Sequence, residues 1–65
     1  MKILRLKDVL ETTGLSKTSI YEFISQGRFP RSIPLGGRSV GWVDTEVENW
    51  IKSRIELRDN GGDLL

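Results

Sequence analysis

The chain of 65 residues contains no cysteine and no histidine. Without cysteine it can form neither a disulfide framework nor a thiolate metal site. Without histidine it lacks the commonest acid/base group and the commonest zinc ligand. A chain of this length forms one small domain that buries only roughly 60% of its unfolded surface, which leaves no room for a deep catalytic cleft. We therefore expect a protein that is not an enzyme and that binds no metal or cofactor.

Long hydrophobic segments are also missing. No apolar run approaches the roughly 18 residues that span a bilayer, and the N-terminal residues lack the pattern of a signal peptide. The carboxylates do not indicate a catalytic pair, because Glu46 and Glu48 are two positions apart and do not face each other on a helix. These absences predict a soluble, cytoplasmic protein that does not bind membranes.

Charge is unevenly distributed along the chain, although the formal net charge is only +1. Residues 15–43 carry four basic side chains against a single acid, Glu22, which gives +3, whereas residues 44–65 carry −3. A basic segment within a small domain is typical of a surface that binds nucleic acid. Four basic side chains are nevertheless too few for tight non-specific binding by one copy.

Two short helices are predicted near the N-terminus. The first runs from about residue 6 to 13, since Leu6, Val9 and Leu10 follow the i, i+3, i+4 spacing of one apolar helix face. Gly14 can take a positive φ and end this helix. Before it, residues 3–6 are predicted to be a short extended segment or a very short strand.

The second helix is predicted from about Lys17 to Gln26. Ser16 is its expected N-cap, and Leu15 and Ile20 occupy the two positions of a hydrophobic staple. Gly27 stands where a glycine would end the helix. Two helices joined by so tight a turn form a helix-turn-helix, whose second helix enters the DNA major groove. The alternative is an ordinary αα-hairpin in a small helical domain.

Residues 32–43 are predicted to form a β-hairpin around a Gly36-Gly37 turn, since paired glycines supply the positive φ angles of a primed turn. Pro34 confines its strand to a sheet edge. After a helix-turn-helix, such a hairpin occupies the position of a wing with Arg38 at its tip. It can contact DNA there, or it can simply be a ribbon that covers the core.

A third helix is predicted from Asp44, as N-cap, to about Arg58. Its expected apolar stripe is Val47, Trp50, Ile51 and Ile55. The domain is therefore expected to span residues 1–58, followed by a flexible tail, residues 59–65, in which Leu64 and Leu65 can dock on a neighbour. The fold class is mainly α with a small β-hairpin, a winged helix-turn-helix of three helices plus a wing.

Several side chains are candidates for DNA contacts. Lys17, Thr18 and Tyr21 lie at the exposed start of the second helix, where they can reach phosphates or base edges. Trp42 and Trp50 could stack on bases, but each belongs to an apolar pattern, so core packing is the favoured interpretation, as it is for Ile20, Phe23 and Ile24.

In its order of motifs, the chain closely resembles the AlpA family of small prophage-encoded regulators, relatives of phage excisionases with a MerR-like winged helix-turn-helix. The resemblance covers roughly residues 4–55. It is carried by Gly14-Leu15-Ser16, by Gly27-Arg28-Phe29-Pro30, and more widely by residues 5–9, 13–21, 27–30, 35–42 and 46–51.

The resemblance implies sequence-specific binding to double-stranded DNA, with the second helix in the major groove and the wing on backbone or minor groove. The implied contacts are Ser16, Lys17, Thr18 and Tyr21 on the helix, with Arg28, Arg38 and Ser39 flanking it. Glu22 departs from the family pattern, since many relatives carry a basic residue there. It can accept a hydrogen bond from a cytosine amino group or repel a phosphate.

Three functions remain open from the sequence. One is transcriptional regulation at a prophage promoter by a nucleoid-associated protein. Another is the excisionase role, in which the protein bends attachment-site DNA for an integrase. The third is a protein-interaction module for an integrase or a polymerase subunit. In the first two, so small a domain is expected to be a monomer in solution that binds neighbouring DNA sites cooperatively.

Overall fold

The computed structural model describes residues 1–61. Along the chain its elements are β1 (Ile3–Leu4), α1 (Leu6–Thr13), α2 (Lys17–Ser25), β2 (Ile33–Gly36), β3 (Ser39–Val43) and α3 (Asp44–Asp59). The strands form an antiparallel sheet in the order β1-β3-β2. This arrangement of three helices and a hairpin confirms the predicted winged helix-turn-helix fold. Residues 62–65, including the proposed docking residues Leu64 and Leu65, lie outside the described part of the chain.

The turn between α1 and α2 forms as the sequence predicts. Gly14 has a φ of 74°, and its N–H donates to the carbonyl of Leu10 at 2.8 Å, which closes the end of α1. The Ser16 hydroxyl accepts the N–H of Ser19 at 3.2 Å and so caps α2. Two residues therefore separate Gly14 from the first residue of α2, Lys17.

The α2 helix ends at Ser25, one residue earlier than predicted. Gly27 adopts a φ of 73° and donates to the carbonyl of Ile24, while Arg28 donates to the carbonyl of Phe23. These two hydrogen bonds form a Schellman motif, which satisfies carbonyls at the helix end. The predicted glycine stop at Gly27 is confirmed.

The hairpin turn differs from the prediction. It consists of Gly37 and Arg38 rather than Gly36 and Gly37, because Gly36 still pairs with Ser39 and an irregularity lies between Pro34 and Gly36. The extra residue in β2 moves the turn along by one position. Gly37 has a φ of 57°. Arg38 has a negative φ, because within residues 1–61 only glycines have a positive φ. This sign pattern is typical of a type II′ turn.

The N-cap of α3 also differs from the prediction. Val43, the last residue of β3, is the N-cap, and Asp44 is already helical. Since the strand passes directly into the helix, Asp44 is not the N-cap; its carboxylate accepts the N–H of Lys2 at 2.9 Å and that of Thr45, in the first turn of α3, at 2.8 Å. The hydrogen bond from Lys2 is the main cause that lowers the pKa of Asp44. Asp44 thus ties the start of α3 to the strand before α1.

One small core lies between the three helices and the sheet. Its buried side chains come from every layer: Val9, Ile20, Phe29, Trp42 and Val47. Trp50 and Ile51 pack against it while half-buried. The prediction that Ile55 belongs to the buried stripe is wrong, because its side chain is 44% exposed. The α3 helix continues to Asp59, one residue beyond the predicted end at about Arg58.

Candidate nucleic-acid interface

The exposed face of α2 carries the residues predicted to contact DNA. Successive residues turn by about 100° around a helix, so Lys17, Thr18 and Tyr21 share one side, while Ile20 and Phe23 point the other way. The structure confirms this division: Ile20 is fully buried and Phe23 packs on the core, whereas the three candidates are exposed. A polar surface about two turns long is therefore available to a partner.

Ser16 lies at the amino end of the same face, but its hydroxyl is committed to the cap. It accepts the N–H of Ser19 and donates to the Ser19 hydroxyl at 3.1 Å. A phosphate at this end of α2 can bind to the first backbone N–H groups of the helix, where the helix dipole is positive.

The wing presents its tip to solvent and its base to the core. Arg38 lies in the two-residue turn, and Ser39 begins β3; both are exposed. Further along β3, Gly41 and Trp42 are buried. The base of the hairpin therefore covers the core, as one interpretation predicted, and its tip is exposed, while contact of the tip with DNA stays a prediction. Pro34 lies on β2, which is an edge strand as predicted.

Tyr21 connects α2 to the wing. Its ring lies edge-on to the ring of Trp42, with 6.4 Å between centroids and an angle of 61° between planes. The Tyr21 side chain remains 41% exposed, so it packs on β3 with part of its surface free. This contact holds the exposed face of α2 against the strand that leads to Arg38.

Arg28 occupies a different place from the other candidates. It follows α2 at the far end from Lys17, and its carbonyl accepts the Trp50 indole N–H at 2.6 Å. Arg28 lies near Arg54, a residue to which the sequence analysis assigned no binding role. The guanidinium of Arg54 lies 5.9 Å from the centroid of the Trp50 ring. Together with Phe23, these three residues line a cleft of about 100 Å³. Residues four apart on a helix are neighbours, so the spacing of Trp50 and Arg54 was the sequence signal that could have placed Arg54 beside the Trp50 ring.

The basic side chains of this surface form no ion pair with any other residue that the structure describes. Within residues 1–61 the one ion pair joins Arg58 and Asp59 at 2.9 Å. Lys17, Arg28 and Arg38 therefore keep their charge available for an anionic partner.

No helix in the described part of the chain is long and apolar enough to cross a membrane.

Comparison with known proteins places this geometry in context. Residues 2–55 match the family model described as Prophage CP4-57 regulatory protein (AlpA). The chain is 42% identical over 62 residues to the uncharacterized protein ORF88 of Enterobacteria phage P4, covering 95% of this chain and 70% of that protein. It is 33% identical over 63 residues to the DNA-binding transcriptional activator AlpA of Escherichia coli K12, covering 88% of this chain and 90% of that protein.

Proposed function

Because the chain belongs to the AlpA family of prophage regulatory proteins, we propose that it is a sequence-specific DNA-binding regulator of transcription, acting in the cytoplasm at the nucleoid. The observation that carries this proposal is the pairing of an exposed polar α2 face with an exposed basic wing tip, held together through Tyr21 and Trp42. A helix in the major groove and a wing on the adjacent backbone need that fixed relation.

Each candidate residue has a role in this proposal. Lys17, Arg28 and Arg38 neutralise phosphates, which fixes the register of the protein on the duplex. Thr18 and Tyr21 face the groove from the first two turns of α2. At the two ends of the surface, the helix start capped by Ser16 and the wing residue Ser39 contact the backbone.

The proposal is tested by binding the purified protein to two duplexes of equal length and composition at a fixed salt concentration. One spans the region upstream of its own gene, and the other is a shuffled sequence. We expect the upstream duplex to bind tighter by about 10³-fold, the lower end of the range for specific DNA-binding proteins. Equal affinity for both duplexes, or no binding to either, would overturn the proposal.

Attachment-site DNA provides a third duplex for the same titration. Preference for it over the upstream region would favour the excisionase role, in which the protein assists an integrase. A preference for the upstream region supports transcriptional regulation.

A further inference from the structure

Glu22 is the only acidic residue between positions 15 and 43, a segment that otherwise carries four basic side chains. It lies on α2, is exposed, and forms no ion pair within residues 1–61. Its backbone carbonyl accepts the hydroxyl of Ser25 at 2.7 Å, whereas its carboxylate accepts no hydrogen bond from any described residue. Among the described residues, this negative charge therefore has no partner, and it lies on the helix that carries the proposed interface.

The position of Glu22 on α2 places it on the recognition face. It follows Thr18 by one turn and Tyr21 by one residue, so it lies on the side of the helix opposite the buried Ile20. One helical turn rises 5.4 Å, while base pairs stack about 3.4 Å apart. Positions 18 and 22 are four residues apart, a rise of about 6 Å, so their side chains reach base pairs within about two steps of each other when α2 lies in the major groove.

A carboxylate in that position has few suitable partners. It is acceptor-only when ionised, and it repels a phosphate at close range. The major groove offers two amino donors, that of adenine, beside the N7 acceptor of the same base, and that of cytosine. The cytosine N4 amino group is the one that lacks an acceptor beside it on its own base.

We propose that Glu22 determines sequence specificity by accepting a hydrogen bond from the N4 amino group of a cytosine, an inference that rests on the proposed placement of α2 in the major groove. Lys17 and Arg38 supply attraction that is independent of sequence, and Glu22 opposes binding wherever no cytosine meets it. An acid on a basic surface thus acts by rejecting wrong sequences.

The experiment selects bound sequences from a pool of randomised duplexes with three proteins: the wild type, Glu22→Gln and Glu48→Gln. Glu48 is exposed on α3, so the second variant removes the same charge away from the interface. We expect the wild type and Glu48→Gln to select one common site. Glu22→Gln should lose a single C·G pair from it and accept A·T there, since glutamine pairs with adenine.

Affinities for the selected site and for its single-base variants provide the measurement. Replacing that cytosine should weaken the wild type by about 5- to 150-fold and Glu22→Gln by much less. If Glu22→Gln selects the wild-type site unchanged, or gains the same affinity on every duplex, Glu22 does not read a base. If the wild type selects no common sequence at all, the proposed function itself is wrong.

Discussion

In the proposed complex, single residues divide into those that attract any duplex and those that distinguish one sequence from another. Lys17 and Arg38 lie at the two ends of the interface, at the start of α2 and in the wing turn, and both are exposed. Neither is held by an ion pair within residues 1–61. Their contribution should therefore be electrostatic and should depend on salt.

We expect Lys17→Ala and Arg38→Ala to weaken binding almost equally on cognate and shuffled DNA, because phosphate contacts carry no sequence information. Each substitution should reduce the slope of log affinity against log salt concentration by about one unit. Titrations at several salt concentrations measure this. Lys52→Ala, which removes a charge from α3, is the control and should keep the wild-type slope; unchanged slopes in both test variants would contradict the assignment.

Gly41 shows how a single position constrains the sheet. It is buried in the central strand, where a Cβ would lie 2.5 Å from Cγ2 of Ile3 and 3.1 Å from the carbonyl oxygen of Leu4. The side chain of Ile3 would have to rotate, and the carbonyl oxygen of Leu4, in a strand paired with β3, would have to shift by a few tenths of an ångström. A glycine is required at position 41 because β1 approaches it too closely to leave room for a Cβ atom.

Gly41→Ala should therefore lower the free energy of unfolding by about 1–3 kcal/mol, the usual cost of overpacking. Chemical denaturation followed by tryptophan fluorescence measures the loss. Ser39→Ala, an exposed change in the same strand, should leave stability within about 0.5 kcal/mol of the wild type. Equal stability of the two variants would mean that β1 is not held as tightly as the geometry indicates.

At the scale of elements, the two tryptophans hold the loop that connects α2 to the wing. The indole N–H of Trp42 donates to the carbonyl of Pro30 at 3.0 Å, and that of Trp50 donates to Arg28. Phe29 lies between Arg28 and Pro30 in the sequence. Its side chain is buried, and the centroid of its ring is 4.9 Å from that of Trp50. The sequence predicts that both tryptophans pack in the core, and the structure adds that their polar edges fix this loop.

We expect Trp50→Ala to lower the free energy of unfolding by about 3–5 kcal/mol, because it removes the ring packed on Phe29 as well as the hydrogen bond. That loss is comparable with the whole stability of a small domain. Trp50→Phe keeps a smaller aromatic ring at this position and loses the hydrogen bond, so it should cost clearly less than Trp50→Ala. Thermal melts compare the three proteins, and a Trp50→Ala protein that keeps its melting temperature would show that Trp50 is not a packing residue.

At the scale of the whole molecule, α3 leaves part of its apolar surface uncovered. The expectation that its stripe is used up by the core is wrong at Ile55, and Leu57 is also 44% exposed. Ile55 and Leu57 are two positions apart and do not face each other on the helix, so they do not form one continuous patch of the roughly 800 Å² per partner that a stable interface buries. A monomer remains the prediction for the free protein.

We expect sedimentation of the free protein to give a monomer, and titrations to show cooperative binding to duplexes that carry two adjacent sites. One recognition helix reads only a few base pairs, so affinity is expected to come from neighbour contacts and from DNA bending. A duplex with a single site is the control and should bind more weakly. A stable free dimer, or independent filling of the two sites, would contradict this model.

Features set by local chemistry were predictable from the sequence. The bounds of α1 and the stop at Gly27 follow from periodicity and from glycine, and the cap at Ser16 from a hydroxyl next to the helix it serves. The exposed face of α2 was predictable for the same reason, since apolar residues at helical spacing determine which side is buried. The candidate contacts on α2 therefore lie where the sequence placed them.

Features that depend on contacts between distant segments were decided by the tertiary structure. Pairing between Gly36 and Ser39 moved the turn to Gly37 and Arg38, and a strand that runs directly into α3 made Val43 the N-cap and left Asp44 to bind Lys2. The neighbours of Arg28, which are Trp50 and Arg54 on α3, and the exposure of Ile55 depend on how α3 packs against the rest of the domain. Register and packing are sums over many weak long-range contacts, and no short stretch of sequence contains them.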